Sequence, residues 1–260
     1  KLSSINYELP VASAQLKSAL ILAGLRSDNT VTIIEKDVSR DHTERLLTGM
    51  GAKIKKDGLS IDISPSDLSA NDLVIPGDIS SAAFWMVAAA IHKNAEINII
   101  NVGINETRAG IISVLERMGA NLNFDNNKEY SGEPVSDITV KTSKLKGTVI
   151  SGKEIPLLID EIPIIALAAV FAEGETKIVD AKELRYKESD RISLTVDWMK
   201  KAGAKIEELE DGMIINGTNN LDGGTFSSHG DHRLAMTLGI ASLVSKNKIE
   251  IENPEAANVS

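Results

Sequence analysis

The chain has 260 residues, 42% of them hydrophobic and 25% charged, and no cysteine. Such a chain can bury the core of one large or two small soluble domains, and it holds no disulfide, zinc–thiolate site or cysteine nucleophile. Its formal net charge of −9 argues against nucleic acid as the main partner, because binding a phosphate backbone needs a basic face.

The chain begins at Lys1 rather than Met, directly ahead of a strand-like run, and reads as cut from something longer. Ser13, Ala14 and Gln15 lead into a small-residue apolar helix over 19–25, and a strand follows at 30–34. The stretch 72–78 carries Pro76 and Gly77 and marks a boundary. Beyond it Ser80 and Ser81, read as caps, open an apolar helix over 82–91 with a strand at 96–100. Residues 126–134 read as an exposed turn. Asp160 and Glu161 head a third apolar helix, 164–171, with a strand at 176–179. After a second exposed turn at 221–224, His232 and Arg233 head a fourth, 234–244, with a strand at 248–251. The runs 82–91 and 162–171 are too short to span a bilayer, and no signal peptide opens the chain.

These elements are repeats. Gly51, Gly119 and Gly203 each sit just past an amphipathic helical pattern, each followed by Ala and an extended segment, where a left-handed helix cap is wanted. The repeating unit is a buried helix, a strand, an amphipathic helix, a Gly-Ala turn and another strand. Helices apolar nearly all round belong inside a layer. Their polar N-termini must then point at a cleft, because unpaired polar groups are costly inside. Several such ends converging build one anion pocket.

Two polar runs carry the chemistry. One is Tyr186-Lys187-Glu188-Ser189-Asp190-Arg191, the other Gly230-Asp231-His232-Arg233, and each stands in front of a helical pattern. A helix start offers unsatisfied N–H donors and the positive dipole end, a natural anion site. The runs supply a lysine, two arginines, a histidine and carboxylates, which suits work on a phosphorylated or carboxylated small molecule. Taken alone, the first run is equally a solvated helix start with a Lys187–Arg191 pair at i, i+4. Asp231 is equally an N-cap, and Asp160 equally a capping carboxylate.

At these residues the chain resembles the 5-enolpyruvylshikimate-3-phosphate synthase family along essentially its whole length. The landmarks are Val11-Ala12-Ser13-Ala14-Gln15-Leu16-Lys17-Ser18-Ala19, Ser39-Arg40-Asp41-His42-Thr43-Glu44, Pro76-Gly77-Asp78-Ile79-Ser80-Ser81-Ala82, Asp160, the 187–191 run and Asp231-His232-Arg233. The second of these is similar to the bacterial form called class II. The resemblance implies a two-lobed α/β fold of repeated βαβαββ units, an inside-out α/β barrel, present here as a partial chain with substrate between the lobes. Residues 1–75 would be the last unit of the N-terminal lobe and 76–260 most of the C-terminal lobe. The family's early Lys-Ser…Arg cluster and Asn-x-Gly-Thr-like loop are absent, and the sequence stops at Ser260 before its closing strand.

The same resemblance implies roles. Ser13, Ala14 and Gln15 hold the phosphate of shikimate 3-phosphate, with Ala14 where related sequences often show Ser, and Arg40 is a further substrate contact. Asp160 is the general base near the attacking hydroxyl. Lys187 contacts that hydroxyl and the enolpyruvyl donor, Glu188 moves a proton at the donor's methylene carbon, and Arg191 and Arg233 clamp the carboxylate of phosphoenolpyruvate. His42, His92 and His229 have no assigned role. The implied protein is a cytoplasmic carboxyvinyltransferase of the shikimate pathway, with no cofactor, metal, nucleic-acid or membrane partner. It is a monomer when full length, and its nearest partner here is the missing N-terminal part of the same polypeptide. Two alternatives stand beside it: an isolated lobe that holds anions without turnover, and the related enolpyruvyl transferase acting on UDP-N-acetylglucosamine. The 187–191 run departs from the latter's pattern.

Overall fold

The computed structural model describes residues 3–259; Lys1 and Ser260, the expected cut ends, lie outside them. The chain packs as two compact units. One runs to Pro76 and also takes Gly103–Arg108 and Asn127–Val135. The other holds Gly77–Val102, Ala109–Asn126 and the chain from Ser136 onward.

The first unit strings together β1 (Asn6–Glu8), α1 (Ala14–Gly24), β2 (Val31–Ile34), α2 (His42–Gly49), β3 (Lys53–Asp57) and β4 (Ser60–Ser64). Its sheet has the order β1-β2-β4-β3, with β1 parallel to β2 and the other pairs antiparallel. Period-2 alternation sends Val31, Ile33, Ile61 and Ile63 to one face, where they meet Ile21, Leu25 and Leu47 in a closed core. Ser13 caps α1, its Oγ accepting the Leu16 N–H at 3.3 Å. In this unit α1 is not apolar-in all round: Leu22 is 53% exposed.

The rest of the chain adds α3 (Ile79–Ile91), β5 (Glu96–Gly103), α4 (Gly110–Arg117), β6 (Asn121–Tyr130), β7 (Glu133–Lys141), β8 (Val149–Ile150), α5 (Ile155–Leu158) and α6 (Ile162–Val170). It continues with β9 (Glu175–Ile178), α7 (Arg191–Lys201), β10 (Lys205–Leu209), β11 (Gly212–Asn216), β12 (Gly224–Ser227), α8 (His232–Ala241) and β13 (Ile249–Glu252). The order β8-β9-β11-β10 repeats β1-β2-β4-β3 pair for pair, parallel then antiparallel twice. A third sheet, β5-β7-β6, gains its parallel neighbour through a Gly77–Val102 bridge. In the last copy β12 and β13 pair in parallel around α8. Gly51, Gly119 and Gly203 take φ of +94°, +85° and +84° at the repeated helix-to-strand turn.

In the second unit α3, α6 and α8 pack on one another, and every residue of α6 is buried. A helix without a polar face has no other stable place. Fully burying each Ile, Leu or Val side chain there contributes roughly 1.5–3 kcal/mol. No helix among the described residues is long and apolar enough to cross a membrane.

Three local expectations are corrected. Residues 126–134 lie mostly in the paired strands β6 and β7, and only Ser131 and Gly132 turn between them, at φ of +52° and +82°. Beyond Phe124 the polar run Asp-Asn-Asn-Lys-Glu carries no alternation, so only cross-strand pairing makes it a strand. Leu221 is fully buried rather than exposed. Ser80 is no cap, since Asp78 caps α3 by accepting the Ser80 N–H at 3.1 Å; the Ser80 hydroxyl is buried and donates to Glu161.

At the start of β11 a Cβ on Gly212 would collide with the Ile178 carbonyl oxygen and stand 3.1 Å from the Val179 Cα. The neighbouring strand is held by the Met213–Ile178 pairing and cannot retreat. Gly212→Ala is therefore expected to cost about 1–3 kcal/mol, the usual range for overpacking. A urea midpoint equal to that of the parent would contradict it.

Candidate active site

In the second unit the two polar runs meet. Asp190 caps α7 by accepting the Ser193 N–H at 3.0 Å, which makes Arg191 the first helical residue. Its side chain is 1% exposed. It donates Nε to Asp231 Oδ2 at 2.9 Å and Nη2 to Asp231 Oδ1 at 3.3 Å, a two-point grip on one carboxylate. Nη2 also donates to Glu188 Oε2 at 2.5 Å, and Nη1 to Asp160 Oδ1 at 3.4 Å. The Lys187 ammonium stands 3.0 Å from Glu183 Oε1 and 3.8 Å from Asp160 Oδ1. Asp160, Lys187, Glu188 and Arg191 thus form one cluster.

Asp160 sits in the 3-10 turn Ile159–Glu161 ahead of α6, whose N-cap residue Glu161 makes no side-chain cap bond. The Asp160 carboxylate is turned to Arg191. Asp231 does cap: its Oδ1 accepts the Arg233 N–H at 2.8 Å and the Leu234 N–H at 3.4 Å. It does more, because Oδ2 takes both the Arg191 Nε and the Ser189 hydroxyl, the latter at 2.8 Å. Burial alone would raise the Asp231 pKa. The Arg191 guanidinium, the Ser189 hydroxyl and the Arg233 N–H outweigh it and hold the carboxyl below its usual range. Next to it, burial and then the Arg233 charge push the His232 imidazole below its ordinary value, towards the neutral form.

Arg233 has separate company. It donates to the Ser80 carbonyl at 3.3 Å, lies 5.9 Å from the Phe84 ring centroid and stands 3.9 Å from Glu161 Oε1. Glu161 is fully buried.

Sequence reasoning passed over Arg185, which fastens the whole 182–191 segment. It donates to the carbonyls of Glu210 and Leu209 (both 2.7 Å), to Asp190 (2.8 Å), Glu208 (2.9 Å) and Ser193 (3.0 Å). A local signal existed, Arg185 standing five residues before a capping Asp. Its strand partners are more than twenty residues away and left no trace nearby.

The remaining expected residues belong to the first unit. Ser13 is the α1 cap, and Ala14 and Gln15 form the first turn, whose N–H groups precede the first intrahelical bond, Lys17 N–H to the Ser13 carbonyl. Such N–H groups suit an anion. Arg40 lies half-buried in the loop between β2 and α2.

Comparison with known proteins agrees on one family. The family model described as EPSP synthase (3-phosphoshikimate 1-carboxyvinyltransferase) matches residues 1–260. A 3-phosphoshikimate 1-carboxyvinyltransferase of Bacillus pumilus is 53% identical over 261 residues, covering 100% of this chain and 61% of that protein. One from Roseiflexus castenholzii is 52% identical over 258 residues, covering 98% and 60%. A solved EPSP synthase of Acinetobacter baumannii superposes with a TM-score of 0.93 at 42% identity, over 99% of this chain and 60% of that one. The chain spans about three fifths of the length of these relatives.

Proposed function

Because the chain belongs to the EPSP synthase family, we propose that the full-length protein transfers the enolpyruvyl group of phosphoenolpyruvate to a hydroxyl of shikimate 3-phosphate, releasing phosphate. This places it in the shikimate pathway to chorismate and the aromatic amino acids, as a cytoplasmic monomer. The observation that carries the reading is the cluster in which Arg191 joins Glu188 and Asp160, with the Lys187 ammonium 3.8 Å from Asp160. It supplies a base, an acid and two cations within reach of one small anion.

Ser13, Ala14, Gln15 and Arg40 bind shikimate 3-phosphate through helix-start N–H groups, hydroxyl and guanidinium. Asp160 takes the proton of the attacking hydroxyl as its oxygen bonds to C2 of phosphoenolpyruvate, and C3 gains a proton through Glu188. Lys187, Arg191 and Arg233 hold the donor's anionic groups and steady the charge on the tetrahedral adduct. C3 then returns its proton, the C2–oxygen bond to phosphate breaks, and the double bond reforms. In this reading residues 1–75 end the N-terminal lobe and 76–260 make most of the C-terminal lobe.

The full-length protein is expected to release phosphate from phosphoenolpyruvate with shikimate 3-phosphate as acceptor and not with UDP-N-acetylglucosamine. Release with the second acceptor alone would assign the chain to the related transferase. Binding of both ligands without release would make it an anion-holding protein.

A further inference from the structure

Lys17 belongs to the first landmark by which the sequence resembles the family, yet no step of the proposed reaction uses it. It is an α1 residue with no exposed surface. Its ammonium lies 3.0 Å from Glu35 Oε1 and 2.7 Å from Glu44 Oε1, and it donates to the Ser39 carbonyl at 3.1 Å. Glu35, just past β2, has no exposed side chain either. Its Oε1 accepts both the Ser39 N–H at 3.2 Å and the Ser39 hydroxyl at 2.6 Å, while Lys56 approaches its other oxygen at 3.5 Å. The Ser18 and Thr43 hydroxyls bond at 2.6 Å, joining α1 to α2 again.

The N–H, hydroxyl and carbonyl of Ser39 are all tied to one buried charge cluster. The residue that follows is Arg40. One turn before Lys17 on the same helix stand Ser13, Ala14 and Gln15. Removing two carboxylates and an ammonium from water is costly, and a buried ion cluster is weak evidence for stability alone. What it does supply is a fixed geometry. We propose that Lys17 and Glu35, acting through Ser39, are positioning residues that hold Arg40 at a set distance from the N-terminus of α1, so that both meet one phosphorylated ligand. The proposal rests on the reading of Arg40 and the α1 start as the shikimate-3-phosphate site.

The test uses steady-state kinetics of the full-length protein for both substrates, in a double-mutant cycle of Ser39→Ala and Arg40→Ala. Ser39→Ala removes one arm and leaves the buried charges paired, so the fold is kept. It is expected to raise KM for shikimate 3-phosphate about five- to tenfold, less than outright loss of a hydrogen bond to a charged group, because Ser39 acts only through the placement of Arg40. The kcat and the KM for phosphoenolpyruvate should stay within about twofold, since neither rests on Arg40. In the Arg40→Ala background Ser39→Ala should add nothing. An equal effect in both backgrounds, no effect of Ser39→Ala, or an equal rise in both KM values would overturn the proposal while leaving Arg40's role intact. If Arg40→Ala itself leaves KM for shikimate 3-phosphate unchanged, the site reading falls, and the proposal with it.

Discussion

Glu188→Gln in the full-length protein is expected to lower kcat by about 10²–10⁴-fold, the usual contribution of a positioned acid–base group, and Lys187→Met by about 10²–10³-fold, that of a group aimed at developing charge, each with the fold unchanged. Arg191 touches three carboxylates, and their exposure differs. The side chain of Asp231 is fully buried, that of Asp160 is 17% exposed and that of Glu188 54%. Glu188 is thus the member of the cluster most open to an incoming molecule, and its partner Arg191 is fixed from behind by Asp231. Glutamine keeps the shape and the acceptor oxygen for Arg191 but cannot exchange a proton. Methionine at 187 keeps the stem and removes the ammonium. Exposed or half-exposed sites of this kind usually change stability by no more than about 0.5 kcal/mol. Circular dichroism and thermal melting therefore separate lost chemistry from lost fold. Retention of more than a tenth of the parent kcat by either variant, with normal melting, would remove that residue from the mechanism.

Arg191→Ala has its main effect elsewhere. It is expected to lower the stability of the protein by about 3–5 kcal/mol, because it strands the buried Asp231 carboxylate without its cation. That is a large part of the 5–15 kcal/mol that a typical domain possesses. Arg191→Ala combined with Asp231→Asn should recover part of the loss, since asparagine still caps α8 without burying a charge. The pH dependence follows from the direction of the Asp231 shift. In the parent its pKa is depressed, so its contribution is complete above the ordinary aspartate range, near 3.9, and is lost only as pH falls through the lower folded value. Without Arg191 the raising effect of burial dominates, and protonation then favours the folded variant. The stability gap between parent and variant should accordingly narrow as pH is lowered from 7 towards 4. A gap of the same size across that range, measured by urea unfolding, would mean that Asp231 is not the group left stranded.

What could be read from sequence was local. The Gly-Ala turns, the apolar runs of α3, α6 and α8, and the polar heads before α7 and α8 are written within a few residues, because caps and helical periodicity act over one or two turns. Strand edges at β2, β5, β9 and β13 were placed to within about three residues for the same reason. The motifs of 13–19, 39–44 and 187–191 sufficed to mark the family. Other features depended on residues far apart in the chain. The second half of β6, beyond Phe124, has no alternation and is a strand through its pairing with β7. Asp231 reads as a cap from its neighbours alone; only the fold brings Arg191, forty residues away, onto its second oxygen. Ser80 reads as a cap until Glu161, eighty-one residues on, takes its hydroxyl. Helix signals are short-range and survive in sequence, whereas the partner of a buried charge is chosen by packing. The sequence by itself determined the repeat, its helices and the chemical kit, and the tertiary structure decided which carboxylate each arginine and lysine holds.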